Sequence, residues 1–239
     1  MYKLITLLLL LTGCATIPPT SRDVLLKTYK GSVRVLTPDG GAHGSGFYTR
    51  TPAGNTVVVT NAHVCEGLTT LLLLPKTLDN LTIPAFPASP TLADPEKDLC
   101  AIKLPSVLQA IIALLPIAKA PQQFYDRVFI LGYPALSEMS VQEGLVLSEK
   151  EVEVAGRDNG HCKGRTVFTF FGFLCLQKFD LMLTSTPTIG GNSGSPALND
   201  KGEVVGVFNS GDSNTNYGNY VKLEDLKNFL KQVDEHESK

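Results

Sequence analysis

From residue 31 onward the chain consists of short apolar and β-branched runs separated by Gly, Pro, Asn and Asp. Residues 32–36 and 56–60 are typical of these runs, and a Pro-Asp-Gly-Gly turn at 38–41 follows the first of them. Short runs bounded by turn residues favour strands joined by tight connections. The pattern therefore predicts an all-β barrel or sandwich. The length of 239 residues and the hydrophobic content of 43% suit one substantial core or two smaller ones.

Helical periodicity is confined to the two ends of this β region. Over 221–233, apolar residues recur on one helix face at Leu223, Leu226, Leu230 and Val233. Residues 21–30 predict a short N-terminal helix that Ser21 would cap.

The stretch from Gly190 to Pro196 has the composition of a nucleophile loop. A serine flanked by glycines on a tight turn can hold its hydroxyl in a cleft, while neighbouring N–H groups converge on one anionic oxygen. Glycine, asparagine and serine are also common in ordinary turns. Two other stretches favour the catalytic interpretation, because His63 follows the run 56–60 and Asp98 precedes the alternation at 99–104. The order His63, Asp98, Ser193 is one of those in which a Ser-His-Asp triad is assembled.

Two aspartates are candidates for the acid. Asp98 is preferred because it stands directly before a strand-like run, where a buried carboxylate can face the histidine. Asp94 instead precedes Pro95 in a predicted loop.

These motifs, together with Gly44-Ser45-Gly46-Phe47 and the stretch 127–134, resemble those of the trypsin-like (chymotrypsin-fold) serine peptidases. The resemblance is strongest to the bacterial glutamyl-endopeptidase-like and HtrA-like branches. It implies two six-stranded antiparallel β-barrels, over 31–118 and 119–233, with the C-terminal helix closing the second and a tail at 234–239.

The same resemblance implies the roles of the site residues. Ser193 would attack a peptide carbonyl, His63 would take its proton, and Asp98 would orient the histidine. The N–H groups of Gly191 and Ser193 would hold the oxyanion. Such a serine endopeptidase requires no metal and no cofactor. An inactive relative that binds extended peptides as an added strand is the alternative.

Asn192 stands where peptidases activated by proteolysis carry an aspartate. Because an amide cannot form an ion pair with a new amino terminus, no such zymogen switch is expected.

The resemblance also indicates a substrate pocket. Pro187 would lie at its base in place of a carboxylate, so a substrate Arg or Lys would be desolvated without a partner. Phe208 occupies the position where glutamyl-specific relatives have a histidine, although Thr188 matches their threonine. A small or medium apolar side chain is therefore expected, with Asn209, Ser210 and Gly211 forming the pocket wall and a backbone clamp.

The N-terminus has the pattern of an export signal. Lys3 precedes the apolar run 4–11, which is too short for a permanent membrane helix. Residues 11–14, Leu-Thr-Gly-Cys, resemble a bacterial lipobox and predict a signal peptide over 1–13, acylation of Cys14 and a tether over 14–30. Ala15 favours the periplasmic face of the outer membrane. A plain signal peptide with a chance cysteine is the alternative.

Four cysteines remain beyond Cys14, and they allow several arrangements. Cys162 with Cys175 and Cys65 with Cys100 are both plausible disulfides, and buried free thiols are the alternative. The formal net charge is −2, and basic residues are scattered among acidic ones, so a nucleic-acid partner is not expected. The oligomeric state is left open.

Overall fold

The structure is a computed structural model. It describes residues 19–39, 43–75, 84–104, 112–134, 138–157, 164–169, 172–187, 189–212, 215 and 217–238. Cys14, Cys162, Thr188 and the predicted signal peptide lie outside the described residues.

The first half of the chain forms an antiparallel sheet of seven strands. Its strands are β1 (Ser32–Leu36), β2 (His43–Arg50), β3 (Thr56–Thr60), β4 (Leu71–Pro75), β5 (Phe86–Ala88), β6 (Pro90–Asp94) and β7 (Leu99–Lys103). The spatial order is β5-β4-β1-β2-β3-β7-β6. Strands β5 and β6 are separated by Ser89 alone, so the continuous segment 86–94 pairs with both β4 and β7. That segment closes the sheet into a ring of six, as predicted.

The second half forms another antiparallel sheet of seven strands. Its strands are β8 (Arg127–Gly132), β9 (Ser140–Arg157), β10 (Arg165–Thr169), β11 (Gly172–Thr184), β12 (Pro196–Leu198), β13 (Val204–Asp212) and β14 (Tyr217–Lys222). Pairing of β11 with β9 closes six of them into a ring, and β10 is added outside it on β11. The prediction of two antiparallel β-barrels is confirmed.

Three differences from the sequence prediction concern the second sheet. The sequence predicts two separate strands at 141–147 and 149–155, but both segments are parts of the single strand β9. Its long pairing with β11 carries the strand through a polar stretch that has no hydrophobic pattern of its own. Strand β11 begins well before the strand predicted at 180–185, and β14 was not predicted, because pairing with neighbouring strands decides both.

Helices lie at both ends of the described chain. Helix α1 (Ser21–Thr28) confirms the predicted N-terminal helix, but its cap is Thr20, which forms a capping box with Asp23. Helix α2 (Ala62–Cys65) is a single turn, and α3 (Leu223–Glu237) is the predicted closing helix. Helix α3 continues beyond 233 because the Asp234 carboxylate accepts a hydrogen bond from Ala53 N, at 2.8 Å, in the turn between β2 and β3. Among the described helices, none is long and apolar enough to cross a membrane.

The hydrophobic core has three parts, and alternation along the strands explains them. On β3, Val58 belongs to the interior of the first barrel, whereas Val57 and Val59 pack into a cluster shared by both halves. On β8, Ile130 faces the interior of the second barrel and Phe129 faces the shared cluster. Burial on both faces accounts for the uninterrupted apolar runs of these strands. The shared cluster fixes the two barrels against each other, and α3 adds Leu226 and Leu230 to it among other side chains.

Candidate active site

His63 and Asp98 are brought together by two neighbouring strands. Strand β3 is antiparallel to β7, with Thr60 paired to Cys100. The end of β3 and the start of β7 therefore lie at the same edge of the first barrel. Helix α2 follows β3 and carries His63. A disulfide between Cys65 and Cys100 joins the two stretches, and it confirms one of the two pairings considered. Cys175 is disulfide-bonded as well.

Asp98 receives a converging set of hydrogen bonds. The His63 ring Nδ1 lies 2.9 Å from its Oδ2, and the His63 backbone N–H donates to its Oδ1 at 3.0 Å. The Asn209 amide donates to Oδ2 at 2.7 Å, and the Asn61 amide donates to the Asp98 carbonyl at 2.9 Å. Asp98 is 5% exposed and has a φ of 52°, a left-handed conformation that non-glycine residues adopt mainly where other contacts enforce it. The site thus holds a buried carboxylate in one orientation against the ring.

The electrostatics of the pair favour the protonated ring. Partial burial of the ring lowers the pKa of His63, but the negative charge of Asp98 and the hydrogen bond to it have the opposite effect and prevail, so the pKa lies above its ordinary value. A neutral histidine whose pKa is raised in this way readily takes up a proton when a neighbouring hydroxyl loses one.

Asp94 is placed elsewhere. Its Oδ1 accepts hydrogen bonds from the backbone N–H groups of Glu96, at 3.0 Å, and Lys97, at 3.2 Å, in the turn that leads to Asp98. Asp94 therefore stabilises a turn, and the geometry supports the choice of Asp98 as the partner of His63.

Ser193 lies on a turn before β12 that is fixed to the first barrel. The backbone N–H of Ser45 donates to the Ser193 carbonyl at 2.7 Å, and the Ser45 hydroxyl donates to the Gly191 carbonyl at 2.8 Å. Gly194 has a φ of +85°, and a Cβ there would lie 2.1 Å from the Ser45 carbonyl oxygen. Glycine is therefore required at 194 by both conformation and space.

The N–H groups on this turn are available for an anion. In the part of the chain that the structure describes, neither the Gly191 nor the Ser193 backbone N–H donates a hydrogen bond. Within the same residues, no hydrogen bond joins the Ser193 hydroxyl to His63. Such contacts are often long in the absence of substrate and shorten in the complex.

Asn192, next to the nucleophile candidate, is buried and bonded to the second barrel. Its side-chain NH₂ donates to Gln142 Oε1 at 3.1 Å, and the residue is 1% exposed. Asn192 is thus held by a neutral amide–amide hydrogen bond to β9. An aspartate at this position would need an ion pair in place of that bond.

Residues 44–207 match the family model described as the trypsin-like peptidase domain. The chain belongs to this family. The resemblance noted in the sequence is therefore confirmed.

Individual relatives of the chain match over different lengths. A stretch of 67 residues, 28% of the chain, is 39% identical to a glutamyl endopeptidase of Staphylococcus aureus, and it covers 20% of that protein. The chain thus matches about a fifth of the length of these curated relatives. Two solved structures are similar in fold. The active form of the Rv3671c protease from M. tuberculosis is 20% identical, with a TM-score of 0.65 over 88% of this chain and 83% of that one. A serine endoprotease from Yersinia pestis is 15% identical, with a TM-score of 0.67 over 91% and 67%.

The predicted pocket residues differ in their exposure and in their contacts. Pro187 is exposed, and Phe208 is buried with its ring 5.3 Å, edge to face, from that of Tyr220. Thr186 Oγ1 lies 2.6 Å from both the Thr184 hydroxyl and the Tyr220 hydroxyl. These three buried hydroxyl groups bond to one another, and Tyr220 contacts Phe208, so the surroundings of Phe208 on this side carry no charge.

Strand β13 offers an exposed edge beside the turn. Gly194 N donates to the Phe208 carbonyl at 3.0 Å, which places this side of β13 against the nucleophile turn. In the described sheet, β12 pairs with β13 only as far as Val207, and Asn209, Ser210 and Gly211 have no strand partner on that side. A cleft of about 710 Å³ lies farther away, between Lys97 and Gln177, and neither His63 nor Ser193 lines it.

Sequence reasoning missed part of what holds the site. Asn209 was predicted as a pocket residue, but its amide points to Asp98. Ser45 belongs to a recognised motif, and its hydroxyl was not assigned a role. Asn61 stands two residues before His63, a position from which a contact with the acid was predictable in principle. Nothing in the sequence near Gln142 indicates its bond to Asn192.

Proposed function

We propose that this chain is a serine endopeptidase of the bacterial cell envelope that hydrolyses peptide bonds through Ser193, His63 and Asp98. The observation that carries the proposal is the 2.9 Å contact between His63 Nδ1 and the buried Asp98 carboxylate. A carboxylate on Nδ1 leaves the other ring nitrogen, Nε2, to act as the base.

The mechanism follows the geometry of these groups. As Ser193 Oγ attacks the substrate carbonyl carbon, its proton passes to His63 Nε2, and Asp98 stabilises the resulting imidazolium. The N–H groups of Gly191 and Ser193 stabilise the negative oxygen, each contributing about 2.7–4 kcal/mol. The imidazolium then gives its proton to the amine as the peptide C–N bond breaks. Water next attacks the acyl carbon while its proton passes to His63 Nε2, and that proton returns to Ser193 Oγ as the ester bond breaks and the carboxylic acid leaves.

The free edge of β13 supports binding of substrate as an extended strand. Asn209, Ser210 and Gly211 provide backbone donors and acceptors beside the nucleophile turn, as strand addition requires. The uncharged hydroxyl cluster next to Phe208 offers no partner for a charged side chain, which supports a small or medium apolar side chain before the cleaved bond. Profiling with a mixed peptide library tests this preference, and strong selection for Arg, Lys or Glu at that position would contradict it.

We further propose that Cys14 is acylated and holds the enzyme at a membrane, on the periplasmic face of the outer membrane. The lipobox pattern at 11–14 supports this. More than one acyl chain gives lasting attachment. Membrane fractionation and mass spectrometry of the mature N-terminus test it, with Cys14→Ser as the control. Identical maturation and partition of both forms would overturn it.

A fluorophosphonate probe tests the catalytic proposal. We expect the folded protein to be labelled on Ser193, as identified by peptide mapping, and the label to be absent in Ser193→Ala. Absence of labelling in wild-type protein that unfolds cooperatively would overturn the enzyme and favour the peptide-binding alternative.

A further inference from the structure

The described chain begins at a fixed point on the second barrel. Arg127 donates from Nη1 to the Pro19 carbonyl at 3.0 Å, and it forms an ion pair with Glu143 at 2.8 Å. The Ser21 hydroxyl donates to the same Glu143 at 2.7 Å. Pro19 is therefore held on the outer face of β8 and β9.

The distance from this point to the proposed anchor is limited by chain length. Pro19 is the fifth residue after Cys14. A fully extended chain spans about 3.3–3.6 Å per residue, so Pro19 lies within roughly 18 Å of the acylated cysteine. If acyl chains on Cys14 enter the bilayer, the surface around Pro19 must stay close to it.

Exposed apolar side chains cluster at this surface. Phe124 is 63% exposed and Tyr125 is 76% exposed. Leu145, 37% exposed, pairs with Arg127 across the strands, so the two side chains project from the same face. Tyr125 N donates to the Val146 carbonyl at 2.8 Å, which places Tyr125 beside Leu145. We call these three residues, Phe124, Tyr125 and Leu145, the aromatic patch.

The backbone at Tyr125 is strained. Its φ is 66°, an outlier for a bulky residue that needs surrounding contacts to maintain it. Besides its bond to Val146, the turn is held by Val146 N, which donates to the Asp126 carbonyl at 2.9 Å. Strain of this kind, in a turn that presents an aromatic ring to the outside, points to a role for the ring.

We propose that the aromatic patch inserts into the interfacial layer of the lipid bilayer next to the anchor. This rests on the acylation of Cys14 put forward above. Tyrosine and other aromatic rings favour the membrane–water interface. Asp126, Arg127 and Glu143 carry charges of both signs beside the patch, so apolar contact, and not attraction to anionic lipid, drives the insertion. The second contact would limit the orientations in which the tethered catalytic cleft faces its substrates.

The absence of tryptophan from the chain provides a direct test. Tyr125→Trp introduces a single tryptophan at an exposed aromatic position. The full-length acylated protein is reconstituted into phosphatidylcholine vesicles, with and without brominated lipid. We expect blue-shifted emission that brominated lipid quenches, with no change on addition of salt. Phe124→Ser in the same background is expected to reduce the quenching.

Phe168→Trp is the matched control. Phe168 is 74% exposed on β10, which pairs with β11 near the far end of β9, roughly 40 Å along that strand from Leu145. We expect the tryptophan at position 168 to show the emission of a water-exposed indole and no quenching.

The outcomes separate the proposals from one another. An acylated, probe-reactive protein whose tryptophan at position 125 stays water-exposed overturns the aromatic patch and leaves the anchor and the peptidase in place. Equal quenching at 125 and 168 shows non-specific adsorption and also overturns it. A mature protein without acyl groups overturns the anchor and the patch together, whereas fluorophosphonate labelling reports on the peptidase independently.

Discussion

The substitution Asp98→Asn removes the charge beside His63 and keeps the shape of the side chain. In the unsubstituted protein, Asp98 Oδ2 accepts a hydrogen bond from the Asn209 amide, and the Asn209 Oδ1 has no partner among the described residues. Asn209 can therefore turn its amide and accept from the NH₂ group of the new asparagine. The fold is expected to persist, so the effect on rate reports the lost charge.

The magnitude follows from the distance between the two side chains. Two unit charges 2.9 Å apart interact with about 6 kcal/mol at an effective dielectric constant of about 20. The value of 20 is appropriate because the His63 side chain is 47% exposed. Without the charge of Asp98, the imidazolium in the transition state loses this stabilisation. Since 1.36 kcal/mol corresponds to a factor of ten, the rate should fall about 10⁴-fold. The same size of effect, about 10⁴-fold, follows such a substitution in other triads.

The assay is kcat/KM for a peptide substrate as a function of pH. Activity requires neutral His63, so it is present above the pKa of His63 and lost as the pH falls through it. Asp98 raises the pKa of His63, so the wild-type acid limb should lie above the ordinary histidine value. In Asp98→Asn the plateau should fall about 10⁴-fold and the acid limb should move to lower pH.

Asp94→Asn is the matched control. Asp94 bonds only to the turn at Glu96 and Lys97 among the described residues, and an asparagine keeps that acceptor. Its activity should stay close to wild type. A loss of less than tenfold in Asp98→Asn, or an acid limb that does not move, would refute the reasoning, as would a large loss in Asp94→Asn.

Three other outcomes are expected. Gln142→Ala removes the acceptor that holds the nucleophile turn. Loss of one neutral hydrogen bond, worth about 0.5–1.5 kcal/mol, predicts a roughly two- to tenfold slower labelling by fluorophosphonate. Gln142→Glu keeps an acceptor and should restore the rate of labelling, and equal rates in all three forms would contradict the role of Gln142. Replacing Cys65 and Cys100 together by alanine opens a loop with a sequence separation of 35 and should lower the free energy of unfolding in urea by about 3–4 kcal/mol, whereas an unchanged midpoint would contradict this. Burial raises the pKa of Asp234, but hydrogen bonds from the turn between β2 and β3 lower it by more, so the pKa lies below the ordinary value. The contribution of Asp234 to the free energy of unfolding is therefore lost as the pH falls through this lowered pKa. Acid unfolding of Asp234→Asn should therefore be less steep than that of wild type, and identical acid limbs would show that the bonds add nothing.

Much of the fold was predictable because its signals are local. The strands at 32–36 and 56–60 have the bounds expected from their β-branched runs, since turn residues limit both ends. Helix α3 follows from its apolar period. Strand β9 was divided into two because a long strand with alternating charges has no local signal of continuity, and its pairing with β11 supplies one.

The sequence by itself determined which side chains have the chemistry of the site. His63, Asp98 and Ser193 each stand in a short stretch whose neighbours set the local turn or strand, and the three stretches together indicated the catalytic residues. Only the tertiary structure decided how they are supported. Asn209 lies 111 residues from Asp98, and Gln142 lies 50 residues from Asn192. Contacts at such separations depend on how distant segments of the chain pack together, both within a barrel and between the barrels, which no local pattern encodes. The same reason explains why Cys65 could be paired with Cys100 only once β3 and β7 were known to be antiparallel neighbours.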